Sequence, residues 1–337
     1  MTSQTLHAPQ TEPSSAQLLE RHADNPSAYL ALNEGTQHFR APGIDGLVAY
    51  RPAGRRALVQ LGGAFAAPED RPALLAAFAT YAEERRRRIV AVQLLREDAE
   101  LYAANGFVVN QLGANYARAL AGFDLKGKKH VSLRNKVSRA RRAGVTVTET
   151  PLDARLRREL EEVDAVWLRA KGRHVKEIQL MVGEVGGEAQ AQRRLFVARD
   201  EAGQVLGYLS FAPVFGSRAG WLHDLSRRRP DAPPGVLELL VVSAVEAFRA
   251  EGAGFLHFGM TPFTGLDPAH EVEGASPMTA RFVRLLAEKG SFVYPAAAQL
   301  AYKEKWALDL VEPEYVAFQG RLTPGALVAL LRVTNSV

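Results

Sequence analysis

The chain has 337 residues, 47% of them apolar, a formal net charge of +5 and no cysteine. That length suits two domains with a core each, and the lack of cysteine excludes disulfides, thiolate metal sites and cysteine-nucleophile chemistry. The longest apolar run, Gly235 to Phe248, is interrupted by Glu238 and Glu246 and falls short of the roughly 20 residues a membrane span needs.

The opening stretch MTSQTLHAPQTEPSSAQ lacks a charged region followed by an apolar one. Residues 1–17 are therefore expected to be a disordered tail, not a signal peptide, and cytoplasmic residence fits. A helix is predicted near Ala16 to Ala23, then strands GLVAY and ALVQL around a turn at Pro52, Ala53 and Gly54. Leu74, Leu75, Phe78, Tyr81 and Ala82 give Pro68 to Arg86 a helical period, and the four arginines from Arg85 to Arg88 suit a helix C-terminus. The strand IVAVQLL, a short helix capped by Gly106 and a strand pair from Phe107 to Leu120 complete the first half.

The second half repeats that order. It comprises a strand at Val145 to Thr150, an amphipathic helix at Asp153 to Lys171, a hairpin from RLFVARD to VLGYLSFAPVF and a strand at Ala219 to Leu225. Arg227 to Pro234 reads as a loop, Gly235 to Glu251 as a helix, Gly254 to Met260 as a strand and Ser276 to Lys289 as a helix, before a closing strand at Gln299 to Lys303. The pattern is α/β with a mixed sheet, a tandem pair of GNAT-type acyltransferase folds. The expected domains are residues 18–122 and a catalytic unit at 123–337.

At their junction lies FDLKGKKHVSLRNKVSRARRAG. It carries Lys126, Lys128, Lys129, Arg134, Lys136, Arg139, Arg141 and Arg142, with His130 beside them and no carboxylate between Lys126 and Ala143. Leu133, Val137 and Ala140 form a narrow apolar seam and Gly144 offers a C-cap. Like charges at helical spacing cost a few tenths of a kcal/mol each, which points to a bound polyanion: tRNA or an anionic membrane surface.

Several separated motifs resemble the cytosolic C-terminal domain of lysylphosphatidylglycerol synthases, the multiple peptide resistance factor family. They are Leu112 and Gly113 with the basic junction, VWLRAKGRHVKEIQLMVG, HDLSRRRPDAPPGVLELL, GMTPF at Gly259 to Phe263, and YKEKW with EPEYVAF, in that order between Val48 and Ala317. The resemblance implies an aminoacyltransferase that moves an aminoacyl group from aminoacyl-tRNA to a hydroxyl or amine acceptor, above all a lipid such as phosphatidylglycerol. The membrane helices that precede this domain in lipid-modifying members are not in the sequence, and Ser226 stands where the family has Met. A small soluble metabolite or a peptide is the alternative acceptor, and a non-catalytic nucleic-acid-binding protein the alternative from another class.

An aminoacyl ester is already activated, so the protein need only place the acceptor, take its proton and stabilise the oxyanion. Within the matching motifs, Asp224 and Glu238 are expected to hold the donor's ammonium or act as base, and Arg227 and Arg228 to bind phosphate. Lys303 and Lys305, alternating with Glu304 on the predicted strand, are expected at the tRNA acceptor end or the oxyanion. Lys176, Glu177, His223 and Gly259 are further substrate-binding candidates. No cofactor is expected: Pro230, Pro233 and Pro234 remove backbone donors from the place where relatives of the fold bind the pyrophosphate of CoA, and there is no metal motif.

Overall fold

The computed structural model describes residues 12–171, 180–290, 294–320 and 322–333. Ser14 and Gln17 form a capping box that starts α1 (Ser15–His22) inside the expected tail. β1 (Gln37–Phe39), β2 (Gly46–Ala53), β3 (Ala57–Ala66), α2 (Arg71–Glu84), β4 (Arg88–Leu94), α3 (Arg96–Ala104) and β5 (Phe107–Ala119) follow. The first turn falls later than its sequence suggests, at Gly54 to Arg56, because Pro52 and Ala53 still pair with Leu58 and Ala57. β5 is one continuous strand, not a pair. Gly113 lets a neighbour approach: an added Cβ would lie 2.4 Å from the Thr261 carbonyl oxygen.

The second half runs α4 (Val131–Arg142), β6 (Thr146–Glu149), α5 (Ala154–Lys171), β7 (Arg194–Arg199), β8 (Val205–Val214), β9 (Gly220–Arg228), α6 (Val236–Ala250), β10 (Phe255–Pro262), α7 (Pro277–Lys289), α8 (Ala296–Glu304), β11 (Leu310–Gln319) and α9 (Pro324–Val333). Two expectations change here. β9 continues through Arg227 and Arg228, which pair with Tyr208 and Gly207 and do not form a loop. The expected closing strand at Gln299 to Lys303 is helical, within α8, and the strand that closes the fold is β11. α9 follows it and had no counterpart in the sequence reading.

The strands form one sheet in the order β1-β2-β3-β4-β11-β5-β10-β9-β8-β7-β6. Each half therefore gives its last strand to the other: β11 lies between β4 and β5, and β5 pairs with β10. A cut between residues 122 and 123 separates β5 from both of its neighbours. The exchanged strand is core, since Tyr315 and Ala317 of β11 are fully buried among Leu74, Phe78 and Tyr102, and burying a large apolar side chain stabilises by about 1.5–3 kcal/mol. α4 docks on α6 through Leu133, Val137 and Ala140, all buried as the seam requires. At the contact an added Cβ on Gly235 would come within 2.0 Å of the Lys136 carbonyl oxygen.

Candidate active site

The site begins where two strands part. β9 and β10 pair in parallel only from Phe255↔Gly220 to His257↔Leu222. Gly259 then takes φ 68, and β10 shifts register against β5 between His257 and Met260. The gap opens into a cavity of about 920 Å³ lined by His223 to Arg228 on one edge, Phe258 to Met260 on the other, and Trp167, Met181, Leu237 and α8. Its walls are largely apolar.

Lys303 enters this cavity from α8. Its side chain is buried, and Nζ donates to the Gly259 carbonyl at 2.6 Å while lying 5.3 Å from the centre of the Tyr116 ring. Burial pushes the amine down to about 7, and the Glu314 carboxylate offsets this only in part. Glu314, on β11, is fully buried, and both its oxygens lack a hydrogen-bond partner among the described residues. Burial pushes its carboxyl up to about 8 against the pull of Lys303. Both groups are thus driven toward their neutral forms near neutral pH. Glu314 is not legible in the sequence, because nothing local in EPEYVAF tells it apart from Glu312 as the buried carboxylate.

His223 packs against Phe211, Phe258 and Tyr302 on the cavity edge. Burial, with Lys303 nearby, lowers its imidazole to about 4, so it is neutral at physiological pH. Asp224, one residue on, points elsewhere. Its side chain is inaccessible and takes a hydrogen bond from Arg193 Nε at 3.2 Å. Arg193 in turn reaches Asn33 Oδ1 at 2.5 Å and lies over the Tyr29 ring. Burial raises the Asp224 carboxyl, with Arg193 opposing. Gly183 leaves room for it: an added Cβ would sit 2.3 Å from the carboxyl carbon.

Glu238 does not meet Asp224. It binds Lys136 Nζ at 2.9 Å and Lys305 Nζ at 3.3 Å, joining α6 to α4 and to the end of α8. Burial pushes this carboxyl up, but the two ammoniums outweigh it and hold it below the usual carboxylate range. Lys303 and Lys305, expected on one strand face, occupy different places because a helix separates them: one in the cavity, the other on Glu238. Arg227 lies over the Trp167 ring at 4.1 Å and reaches Asp164 at 3.8 Å, while the exposed Arg228 caps the carbonyls of Arg229 and Pro230. Lys176 and Glu177 fall outside the described residues.

The basic junction divides. Lys136 is taken by Glu238, and Arg134 is held by the carbonyls of Leu125 and Gly127. His130, expected among the basic groups of the surface, is instead buried edge-on to Phe123. Arg141 has a 3.9 Å ion pair with Glu246. Lys126, Lys128, Lys129, Arg139 and Arg142 are exposed, with no ion pair among the described residues.

A family profile described as phosphatidylglycerol lysyltransferase, C-terminal, matches residues 15–318. The chain belongs to this family. The match takes in the exchanged strand β11 and ends before α9. A phosphatidylglycerol lysyltransferase of Bacillus subtilis is 25% identical over 295 residues, which are 86% of this chain and 33% of that protein. The chain thus spans about a third of the length of this curated relative. Two solved structures share the fold at 23% identity. A C-terminal domain attributed to a lysylphosphatidylglycerol synthetase of Agrobacterium fabrum has a TM-score of 0.76, with 96% of each chain covered. L-PGS from Bacillus licheniformis has a TM-score of 0.78, with 98% of this chain and 99% of that one covered. Within the family frame, the HDLSRRRPDAPPGVLELL block supplies one edge of the cavity and YKEKW places Lys303 in it.

Proposed function

We propose that this chain transfers an aminoacyl group from aminoacyl-tRNA to a hydroxyl of a phospholipid, phosphatidylglycerol being the acceptor its family points to. The observation that carries the reading is the buried, neutral-leaning Lys303 amine in an apolar cavity opened by parting strands. Neutral Lys303 takes the proton from the acceptor hydroxyl as its oxygen attacks the ester carbonyl carbon. The tetrahedral oxyanion then collapses, the bond to the terminal ribose oxygen breaks, and the Lys303 ammonium returns the proton to that oxygen. Glu314 sets the amine's charge balance, and Arg227 with the free edge of β9 faces the developing oxyanion. The step needs neither CoA nor a metal. Asp224 acts through Arg193 to hold this edge, and Glu238 fixes the basic helix against the catalytic half.

The exposed cations from Lys126 to Arg142 suit the phosphates of the tRNA. The apolar cavity walls favour a lipid acceptor over a small polar metabolite. α7 supports contact with an anionic bilayer: Met278 is 81% and Leu285 47% exposed, on a face that also carries Arg281. Among the described residues no helix is long and apolar enough to cross a membrane.

The test supplies purified protein with phosphatidylglycerol vesicles and tRNA charged with each labelled amino acid in turn. Label should move into the organic phase with one tRNA species. No transfer from any charged tRNA refutes the reading, and label found only on water-soluble products moves the acceptor to the metabolite class.

A further inference from the structure

A second basic feature lies away from the cavity and shares no lining residue with it. The turn after β2 and the end of α2 border an open pocket of about 890 Å³ lined by Arg55, Arg56, Arg85, Arg86 and Arg87, with Tyr50 and Tyr81 in its wall. It sits at the opening of β3 and β4, whereas the active-site cavity meets the far end of β4 at Gln93.

Four observations set these arginines apart from an ordinary solvated surface. None of the described residues lining the pocket is acidic. Arg85 has a 3.4 Å contact with the exposed Glu84, and the other four have no ion pair among the described residues. The two arginine segments are also locked together by backbone, since the Arg88 N–H donates to the Arg56 carbonyl at 2.9 Å and Ala57 pairs with Arg88. Finally, Arg86 occupies the left-handed region at φ 54, where glycine is the unstrained residue after a helix. The helix dipole accounts for cations at the end of α2. It does not account for Arg55 and Arg56 on the facing turn.

We propose that this pocket binds a small ligand carrying two or more adjacent phosphate groups, of the nucleoside polyphosphate class. Guanidinium forks match phosphate oxygens in pairs, and five of them around one recess exceed what a single phosphate can engage. The volume is that of a small-molecule site. A compact oligophosphate meets both arginine segments together.

Isothermal titration of the intact chain with tripolyphosphate, ATP and inorganic phosphate, at roughly 0.15 M salt, tests this without any transfer assay. One oligophosphate should bind per chain, about tenfold or more tighter than inorganic phosphate. The variant Arg55→Ser/Arg56→Ser/Arg86→Gly should lose that binding with its melting temperature unchanged or raised, while Arg139→Ser/Arg142→Ser on α4 keeps it. The proposal is overturned if oligophosphates do not bind, if the pocket variant binds them equally well, or if the α4 variant is the one that loses them.

Discussion

The two halves build the same gap and use it differently. In the second half the parallel pairing of β9 and β10 stops at Leu222↔His257, Gly259 turns left-handed, and His223 and Asp224 follow on β9. In the first, the pairing of β3 and β4 stops at Leu61↔Val92, Gln93 takes φ 54, and Gly62 and Gly63 follow on β3. There the space is filled. The Gln60 amide donates to the carbonyls of Gly62 and Gly63 at 3.0 Å each and contacts the Tyr102 hydroxyl, while Asp98 packs so close that an added Cβ on Gly63 would come within 2.0 Å of it. The first gap is packed except where Gln93 reaches the edge of the active-site cavity, and the second has stayed open, so a repeated fold does not imply two active sites.

The comparison breaks most sharply at Lys303. Lys303→Met should lower the transfer rate by about 10²–10⁴-fold, the usual worth of a general base, as measured by turnover with saturating charged tRNA. A smaller loss would mean that positioning alone drives the reaction. Next comes Asp224→Asn, which should lower unfolding free energy in urea by up to about 3 kcal/mol, because it removes a charged hydrogen-bond acceptor from the buried Arg193 and leaves Glu184, 4.0 Å away, as its remaining charge partner. If stability holds while the rate collapses, Asp224 belongs to the chemistry and not to the scaffold. Gly63→Ala should destabilise by about 1–3 kcal/mol through overpacking against Asp98 and leave the rate of the folded fraction unchanged. A lost rate in folded protein would give the first half a part in catalysis.

The smallest effect is on pH. The rate should rise as Lys303 loses its proton, through a limb near pH 7. A negative Glu314 raises the Lys303 value, so Glu314→Gln should move that limb to lower pH with the plateau rate retained. A shift to higher pH would contradict the pairing.

Local patterns were enough to read the seam of α4, the β7–β8 hairpin and the apolar helix α6, since their periods lie within a few residues. The order of motifs led to the right family. YKEKW reads as a strand because its charges alternate as an edge strand's do, while the contact that seats α8, Lys303 on the Gly259 carbonyl, involves a residue far away in the chain. Arg227 and Arg228 looked like a loop for a similar reason: Arg227 is made tolerable inside a strand by the Trp167 ring beneath it. The pairing of Asp224 with Arg193, and of Glu238 with Lys136, lies beyond any local spacing rule.

The exchange of terminal strands also constrains synthesis. Ala119, at the end of β5, hydrogen-bonds Asp309 beside β11 across 190 positions of sequence. While the chain is still emerging from the ribosome, the first half has a vacant slot in the middle of its sheet, which waits for β11. Closing so long a loop is slow and leaves strand edges open to other chains in the interval. A premature stop shortly before β11 would remove a central strand from a half that is otherwise fully translated.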